Sequence, residues 1–244
     1  MFPFNNFFPP EVVAFVSDRK VDFSLDRSNP ALTDAQKKFL MSCFSSRGAI
    51  SESENFNLNN VCTVSQVHGQ RIVVLDKNDQ QPKEGIEEAD GIVTNLKNLP
   101  IAVRTADCLS IFLYAPKQKC IGLIHAGWRG TQKAIVKEAI RSMAREYGVN
   151  PIDIKAALGP GIRSCCYKVD EEMRDCFPPQ GSLPAKEILS RESSWYLDLP
   201  LANIRQLRET GVEEKNIFDC GICTCCDINY FSYRREGSNA GRMI

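Results

Sequence analysis

Three residues of this sequence carry side chains that could form one reactive centre: His68, Cys108 and His125. The chain has only 2 histidines among its 244 residues, and a glycine follows each of them within two positions. Each of the three residues lies at or near the end of a segment rich in β-forming residues: TVSQVHG, IAVRTADC and CIGLIHAGW. Residues at strand ends beside glycine are well positioned to converge on one pocket. The pattern therefore indicates a metal site or the active centre of a cysteine hydrolase.

A metal site is the first interpretation of these residues. Two neutral imidazoles and one thiolate suit zinc, and copper is the alternative metal. Three protein ligands leave a fourth position for water or substrate, which is typical of catalytic zinc. In the second interpretation Cys108 is a nucleophile and His125 is its base. The third is purely structural, with all three side chains packed in a core, and their long spacing does not decide among the three.

Four arginines are candidates for binding phosphate or carboxylate near this centre. Arg104 precedes Cys108 in the motif RTADC, and Arg129 follows the motif HAGW. Arg234 and Arg235 lie in the C-terminal segment FSYRREGSNAGRMI. A guanidinium group can bind either anion through two parallel hydrogen bonds. Any one of these arginines could equally be a solvated surface residue, but short motifs connect Arg104 and Arg129 to the candidate centre.

Two further features border the same motifs. Asp107 directly precedes Cys108 and could act as an acid or base or orient a ligand, although aspartate is also common in turns. A helix N-terminus predicted at Gly130-Thr131 would present free backbone N–H groups to an anion. The sequence contains no Walker motif and no dinucleotide-binding motif.

Cysteines are concentrated near the C-terminus, in the segment CGICTCC (220–226). This segment contains a CxxC pair, but a structural zinc site needs a second pair. Cys165-Cys166 is the nearest candidate and lacks the usual spacing. The chain has 11 cysteines, an odd number, and a chain of this length does not need disulfides to fold. Ordinary reduced cysteines are therefore the favoured interpretation, ahead of a structural zinc or a redox pair.

The elements that would position these residues are mostly strands in the middle of the chain. Runs rich in Val and Ile predict strands at 61–67, 71–75, 91–95, 101–105, 109–115 and 120–125. A strong helix is predicted over 131–147, because apolar residues recur every three or four positions and Gly148 can end it. Other segments complete the prediction: helices at 31–43, 170–176 and 199–210, strands at 154–158 and 215–219, and loops at 51–60 and 178–194. This order of elements predicts a single α/β or α+β domain.

Composition argues against several functional classes. The 30 basic and 30 acidic residues cancel, so no overall charge indicates nucleic acid or an anionic membrane as a partner. No segment approaches the ~18 apolar residues of a transmembrane helix. Prolines interrupt the apolar N-terminus, which lacks the basic start of a signal peptide. We therefore expect a cytoplasmic protein.

Six motifs, in this order, resemble those of the YfiH-type family: QVHG (66–69), ADGIVTN (89–95), RTADCLSIFLY (104–114), IGLIHAGWRGT (121–131), LGPGIRSCCYKVD (158–170) and FSYRREG with AGRMI (231–244). The resemblance extends from about residue 61 to the C-terminus, so residues 1–60 are expected to be the divergent part of one domain spanning 1–244. Members of the family are described variously as multicopper polyphenol oxidases or laccase-like proteins, and as purine nucleoside phosphorylases with adenosine deaminase activity.

The resemblance implies a fold and a site. The fold would be a single α/β domain with a mixed β-sheet and flanking helices, similar to that of cytotoxic-necrotizing-factor-like cysteine hydrolases. The site would hold a metal, usually zinc, on His68, Cys108 and His125. The substrates would be adenosine, inosine and methylthioadenosine, cleaved by phosphate to the free base and the corresponding ribose 1-phosphate.

We therefore expect a zinc-dependent purine nucleoside phosphorylase that also deaminates adenosine, using water activated by the metal. The four arginines would hold phosphate or ribose. Two other enzymes remain open. One is a cysteine-based hydrolase or amidase that edits peptidoglycan precursors, and the other is a copper-dependent polyphenol oxidase, although one site with two histidines is small for several coppers. A protein that uses the metal pocket to bind a nucleotide or a partner surface without turnover is the non-enzymatic alternative.

Overall fold

The structure is a computed structural model that describes residues 1–4, 6–24, 32–45, 61–76, 87–177 and 187–244. Its strands are β1 (Phe2–Pro3), β2 (Phe15–Val16), β3 (Cys62–Thr63), β4 (Ile72–Leu75), β5 (Gly91–Thr94), β6 (Ile101–Ala102), β7 (Leu109–Ala115), β8 (Cys120–Ala126), β9 (Lys155–Leu158), β10 (Lys168–Val169), β11 (Ile188–Arg191), β12 (Ser194–Leu197) and β13 (Ile217–Asp219). Its α-helices are α1 (Asp34–Ser45), α2 (Trp128–Gln132), α3 (Ile135–Tyr147), α4 (Glu171–Asp175), α5 (Leu199–Glu209) and α6 (Tyr233–Glu236). Short 3-10 helices lie at Pro151–Asp153, Glu214–Asn216 and Gly237–Asn239.

A six-stranded mixed sheet forms the centre of the fold, in the order β13-β9-β7-β8-β5-β4. Strands β7 and β8 form an antiparallel hairpin in which Ser110 lies opposite His125. Strands β9 and β5 pair antiparallel to this hairpin, whereas β13 and β4 join the two edges in parallel. This sheet and its helices confirm the predicted α/β class with a mixed sheet.

Both faces of the central sheet are covered, which is why its inner strands are apolar runs rather than alternating patterns. On one face, residues of α3 such as Ile140 and Met143 pack with Ile111 and Ile124 of the hairpin. On the other face, aromatic residues from both ends of the chain pack around Tyr114 of β7: Phe4, Phe8, Tyr230 and Phe231. The hairpin is therefore held between two apolar layers, and the residues at its open end have a rigid support.

The strong helix predicted over 131–147 is two helices, α2 and α3. Between them Ala134 adopts the left-handed conformation, with a φ of 61°. Helix α3 keeps the predicted apolar face and ends at Gly148, whose φ of 64° forms a left-handed cap. The apolar spacing that predicted a helix continues across the break, so a local pattern could not reveal it.

The predicted anion site at Gly130-Thr131 is wrong, because no helix begins there. Helix α2 begins earlier, at Trp128, and the backbone N–H of Thr131 already donates to the carbonyl oxygen of Gly127. Gly130 has a different role. A Cβ atom at this position would lie 2.8 Å from the carbonyl oxygen of Gly69, so glycine allows α2 to approach the segment that carries His68.

Other elements differ in length from the prediction. Residues 178–186 of the loop predicted over 178–194 lie outside the described residues. The rest of that loop contains β11 and part of β12, which belong to a second sheet in the order β10-β12-β11. The strands predicted at 61–67 and 101–105 shorten to β3 and β6, which pair in parallel. The loop predicted at 51–60 lies outside the described residues. Among the described residues, no helix is both long and apolar enough to cross a membrane.

Candidate metal centre

His68, Cys108 and His125 meet at one end of the central hairpin. His125 lies inside β8, Cys108 directly precedes β7, and His68 lies in the irregular segment after β3. Their potential ligand atoms, one sulfur and two ring nitrogens, all lie within 4.8 Å of one another. The two imidazole rings stand edge to face, with centroids 4.8 Å apart and planes at 82°. The three residues that the sequence singled out therefore form one cluster.

Gly127 makes this close approach sterically feasible. A Cβ atom there would lie 2.9 Å from the sulfur of Cys108 and 3.1 Å from Cδ2 of His68. Any other residue at this position would force those two side chains apart. His68 also has a φ of 58°, an uncommon conformation for a residue with a side chain. Such strain persists only where the surrounding contacts hold the residue in place.

Asp90 provides those contacts, and the sequence analysis did not single it out. Its fully buried carboxylate accepts hydrogen bonds from the backbone N–H groups of Val67, His68 and Gly69, at 3.2, 2.9 and 2.6 Å. The same carboxylate lies 2.7 Å from Nδ1 of His125. A carboxylate can only accept, so Nδ1 donates and Nε2 is the nitrogen left for a metal or for Cys108. One buried anion thus positions both histidines.

Cys108 and His125 are also coupled electrostatically. Burial raises the pKa of Cys108, but the charge and hydrogen bonds of His125, aided by His68, outweigh it and bring the pKa to about 6. Burial lowers the pKa of His125, and the charge of Cys108 and the hydrogen bond to Asp90 outweigh it and bring the pKa to about 9. Near neutral pH the pair is therefore a thiolate and an imidazolium in the absence of metal.

The donor set fits a metal ion. Two imidazole nitrogens and a sulfur that readily loses its proton are zinc ligands, and a carboxylate behind one imidazole is the usual second layer of a zinc site. Within the described residues this cluster presents three ligands, so a bound metal would keep a free position.

Asp107 lies beside the centre, but its carboxylate is engaged elsewhere. One oxygen accepts from the hydroxyl of Thr224 at 2.7 Å, and the other accepts from the backbone N–H of Arg234 at 2.6 Å. Its φ of 89° and the hydrogen bond from the N–H of Ile162 to its carbonyl oxygen make it the turn residue before β7. These contacts favour the turn interpretation of Asp107 over an acid–base role.

The four predicted arginines divide into two kinds. Arg104 is buried, and its Nε donates to the carbonyl oxygen of Phe23, so it anchors the N-terminal segment. The guanidinium of Arg235 donates to backbone carbonyls and to Glu236, with partners at Thr224, Cys225, Asp227 and Tyr230. For Arg104 and Arg235 the geometry therefore favours structural roles and departs from the expected phosphate contacts.

Arg129 and Arg234 are better placed for a ligand. Arg129 is exposed, and its guanidinium lies 4.3 Å from the ring centroid of Trp128. Arg234 donates to the carbonyl oxygens of Cys166 and Lys168 through Nη1. Arg234 also lies over the ring of Tyr167 at 5.2 Å. Both arginines thus stack on aromatic rings, a contact that keeps the guanidinium oriented while leaving edge N–H groups for an anion.

Tyr167 is a second residue that the sequence analysis missed. Burial is the main cause that raises the pKa of its hydroxyl. The remaining causes are nearby charges, those of Cys108, Arg234, Asp107 and Arg129. The phenol therefore lies among the centre and both available arginines. A tyrosine within an otherwise unremarkable motif, CCYKVD, carries no sequence signal that would have found it.

Comparison with known proteins is consistent with this geometry. The family model for multi-copper polyphenol oxidoreductase laccase matches residues 42–244, so this chain belongs to that family, which includes the YfiH proteins that its motifs resemble. A protein named purine nucleoside phosphorylase YlmD, from Geobacillus stearothermophilus, is 34% identical over 81% of this chain and 75% of its own. A protein named adenosine deaminase RL5, from an unknown prokaryotic organism, is 33% identical over 77% of this chain and 74% of its own.

A solved structure agrees in fold. The crystal structure of YlmD from Geobacillus stearothermophilus superimposes with a TM-score of 0.81 and 28% identity. The superposition covers 97% of this chain and 92% of that chain. The superposition therefore reaches beyond the part of the chain that carries the motifs, which begins at about residue 61.

Proposed function

We propose that this protein is a zinc-dependent purine nucleoside phosphorylase that also deaminates adenosine. The observation that carries the proposal is the cluster of His68, Cys108 and His125 around a buried Asp90, in a chain whose relatives are named for these two activities. The substrates would be adenosine, inosine and methylthioadenosine together with phosphate. Such small polar substrates need charged groups at the rim of a metal site, and Arg129 and Arg234 supply them.

The three ligands would hold zinc, which when bound supplies Lewis-acid chemistry. The residues of the chain have separate tasks. Asp90 keeps Nδ1 of His125 protonated, so that the ring presents Nε2 to the centre. Gly127 leaves room for Cys108 and His68 to face each other.

Phosphorolysis requires the phosphate to be held close to the ribose. In this step a phosphate oxygen forms a bond to C1′, the bond from C1′ to the purine nitrogen breaks, and the purine leaves with the electron pair and takes up a proton. Arg129 is the proposed phosphate ligand because its guanidinium is exposed and oriented by Trp128. Arg234 and the Tyr167 hydroxyl would contact the nucleoside. Asp107 would position Arg234, because its carboxylate accepts a hydrogen bond from the backbone N–H of Arg234.

Product analysis by chromatography tests the proposal. Purified protein is incubated with adenosine, inosine or methylthioadenosine, with and without phosphate. We expect the free base and a sugar phosphate only when phosphate is present, and inosine from adenosine in either case. The sugar phosphate is ribose 1-phosphate from adenosine and inosine, and methylthioribose 1-phosphate from methylthioadenosine. Absence of all these products above the blank would exclude the proposal. Cys108→Ser should abolish the activity, whereas Cys176→Ser, a matched change in a half-buried cysteine outside the candidate centre, should not.

A cysteine hydrolase is the second candidate, and one observation favours it. The pKa of Cys108 falls to about 6 beside His125, which is the state of an activated nucleophile. In this case metal-free protein would cleave an amide substrate, such as a peptidoglycan precursor, and iodoacetamide would inactivate it. If removal of metal abolishes activity and restoration of zinc recovers it, this second candidate is excluded.

A further inference from the structure

Four cysteines form a second cluster outside the candidate centre. Cys165 and Cys166 lie in the segment after β9, and Cys223 and Cys226 lie in the segment after β13. The sulfur of Cys226 is 3.5 Å from that of Cys165 and 3.3 Å from that of Cys166. All four sulfurs lie within 4.8 Å of one another. The two pairs are about sixty residues apart in the chain, so their spacing gave no indication of this arrangement.

We propose that Cys165, Cys166, Cys223 and Cys226 are the ligands of a second, structural Zn²⁺ site. The site is distinct from the three-ligand centre and does not depend on the function proposed for that centre.

The distances fit a tetrahedral metal site with four sulfur ligands. Zinc binds thiolate sulfur at about 2.3 Å, so two sulfurs on one tetrahedral zinc are about 3.8 Å apart. The two sulfur pairs that contact Cys226 are within about half an ångström of that separation. A cubic iron–sulfur cluster would need a wider opening, because each thiolate then binds a different iron at a corner of the cube. A single tetrahedral ion is the group that this spacing accommodates.

The backbone brings two of the four cysteines together in one turn. Cys223 and Cys226 form a CxxC turn, since the N–H of Asp227 donates to the carbonyl oxygen of Cys223 at 2.9 Å. The turn therefore presents two sulfurs to one point.

Cationic side chains hold the same two segments. Arg235 donates to the carbonyl oxygens of Thr224 and Cys225 at 2.7 and 3.0 Å, and Arg234 donates to the carbonyl oxygen of Cys166 at 3.3 Å. A zinc with four thiolates carries a net charge of −2, and these nearby positive charges would offset it. The arrangement thus assigns a task to Arg235, for which the sequence predicted phosphate.

The proposed zinc site would also stabilise the segments that lie beside the candidate centre. Gly161 and Cys223 form an isolated parallel β-bridge, and the next residue, Thr224, donates to the carboxylate of Asp107 beside Cys108. A metal that joins the segments at 165–166 and 223–226 would therefore restrain the turn that precedes β7. Four protein ligands leave no open coordination position, which makes the role structural.

Metal analysis of variants tests the proposal. We use the double variant His68→Ala/Cys108→Ala, purified in the presence of a reductant that does not bind metal, so that any remaining metal belongs to the second site. We expect one zinc per chain, measured by inductively coupled plasma mass spectrometry. Adding Cys223→Ser should remove this zinc. Adding Cys220→Ser instead should leave it, because Cys220 belongs to the same segment but not to the cluster.

X-ray absorption at the zinc edge provides a measurement that does not depend on folding of the serine variants. In the double variant the zinc should have four sulfur neighbours at about 2.3 Å and no nitrogen neighbour. The proposal is overturned if the double variant binds no zinc, if the cluster holds iron instead, or if mass spectrometry of the reduced-purified protein shows a disulfide among the four cysteines.

Discussion

The two thiol-containing clusters of this protein differ in how they are supported. Two residues of the three-ligand centre, Cys108 and His125, lie at the ends of long central strands, and one buried carboxylate, that of Asp90, orients both histidines. The four-cysteine cluster is built on irregular segments near the surface, where two of its sulfurs belong to exposed residues, Cys165 and Cys226. Mixed ligands with a free position suit chemistry, whereas four identical ligands suit stability. Removing one ligand from each cluster should therefore affect different properties.

Loss of Cys108 should have the largest effect on activity. Cys108→Ser removes the only sulfur ligand of the first centre, so we expect phosphorolysis to fall by more than about 100-fold, beyond the range seen for residues behind a ligand. Zinc content should fall by one ion per chain, with the ion of the second site retained. Chromatography measures the activity, and elemental analysis of the same sample measures the zinc content. Full activity in Cys108→Ser would remove the distinction between the two clusters.

Asp90→Asn should have the second-largest effect. The amide cannot replace an anion that accepts from three backbone N–H groups and faces Nδ1 of His125, so we expect a decrease of about 10- to 100-fold in zinc affinity or activity. Competition with a chelating dye measures the affinity. Glu88→Gln, an exposed carboxylate two positions away, is the matched control and should behave as wild type. An unchanged affinity in Asp90→Asn would contradict the orienting role.

The pH dependence of zinc binding should show how many protons the metal-free first centre holds. With Cys108 at a pKa of about 6 and His125 at about 9, the metal-free pair holds one proton between these pH values. Zinc must displace that proton, so affinity should rise about tenfold per pH unit from pH 6 to pH 9 and level off above it. Titration with a chelator, corrected for the protonation of the chelator itself, measures the slope. A flat profile between pH 6 and pH 9 would show that zinc displaces no proton there, which would contradict a pKa of about 9 in this pair.

Cys223→Ser should have the smallest effect on activity and a clear effect on stability. The residue belongs to the four-cysteine cluster and not to the three-ligand centre, so the assay should change far less than for Cys108→Ser. The thermal unfolding temperature should fall, because an ion that binds only the folded state stabilises it. Calorimetry of this variant beside Cys220→Ser gives the comparison. Equal unfolding temperatures for the two variants would argue against a structural metal.

Local sequence patterns predicted much of the fold. The Val- and Ile-rich runs at β7 and β8 and the apolar face of α3 follow from side-chain periodicity, and that periodicity is a property of neighbouring residues. The break at Ala134 could not be predicted in this way, because the approach of α2 to the segment after β3 depends on residues far apart in the sequence. The same reason explains β11 and β12, which replace part of a predicted loop.

The residues of the candidate centre illustrate the same division. His68, Cys108 and His125 were identifiable because histidine is rare in this chain and each residue lies near the end of a strand-like segment. Asp90 was not, because an aspartate before a glycine has the composition of an ordinary turn and only the fold brings it beneath His125. The structural role of Arg235 was not identifiable either, because the backbone carbonyls that its guanidinium binds come together only when the chain folds around it.

By itself, then, the sequence determined the α/β class, the strands of the central hairpin and the three side chains capable of holding a metal, since each follows from residue type and short-range order. Only the tertiary structure decided which carboxylate orients the histidines, which arginines remain available and that four cysteines from two distant segments face one point. Those features depend on contacts between segments separated along the chain, and such contacts exist only once the sheet and its two covering layers have packed together.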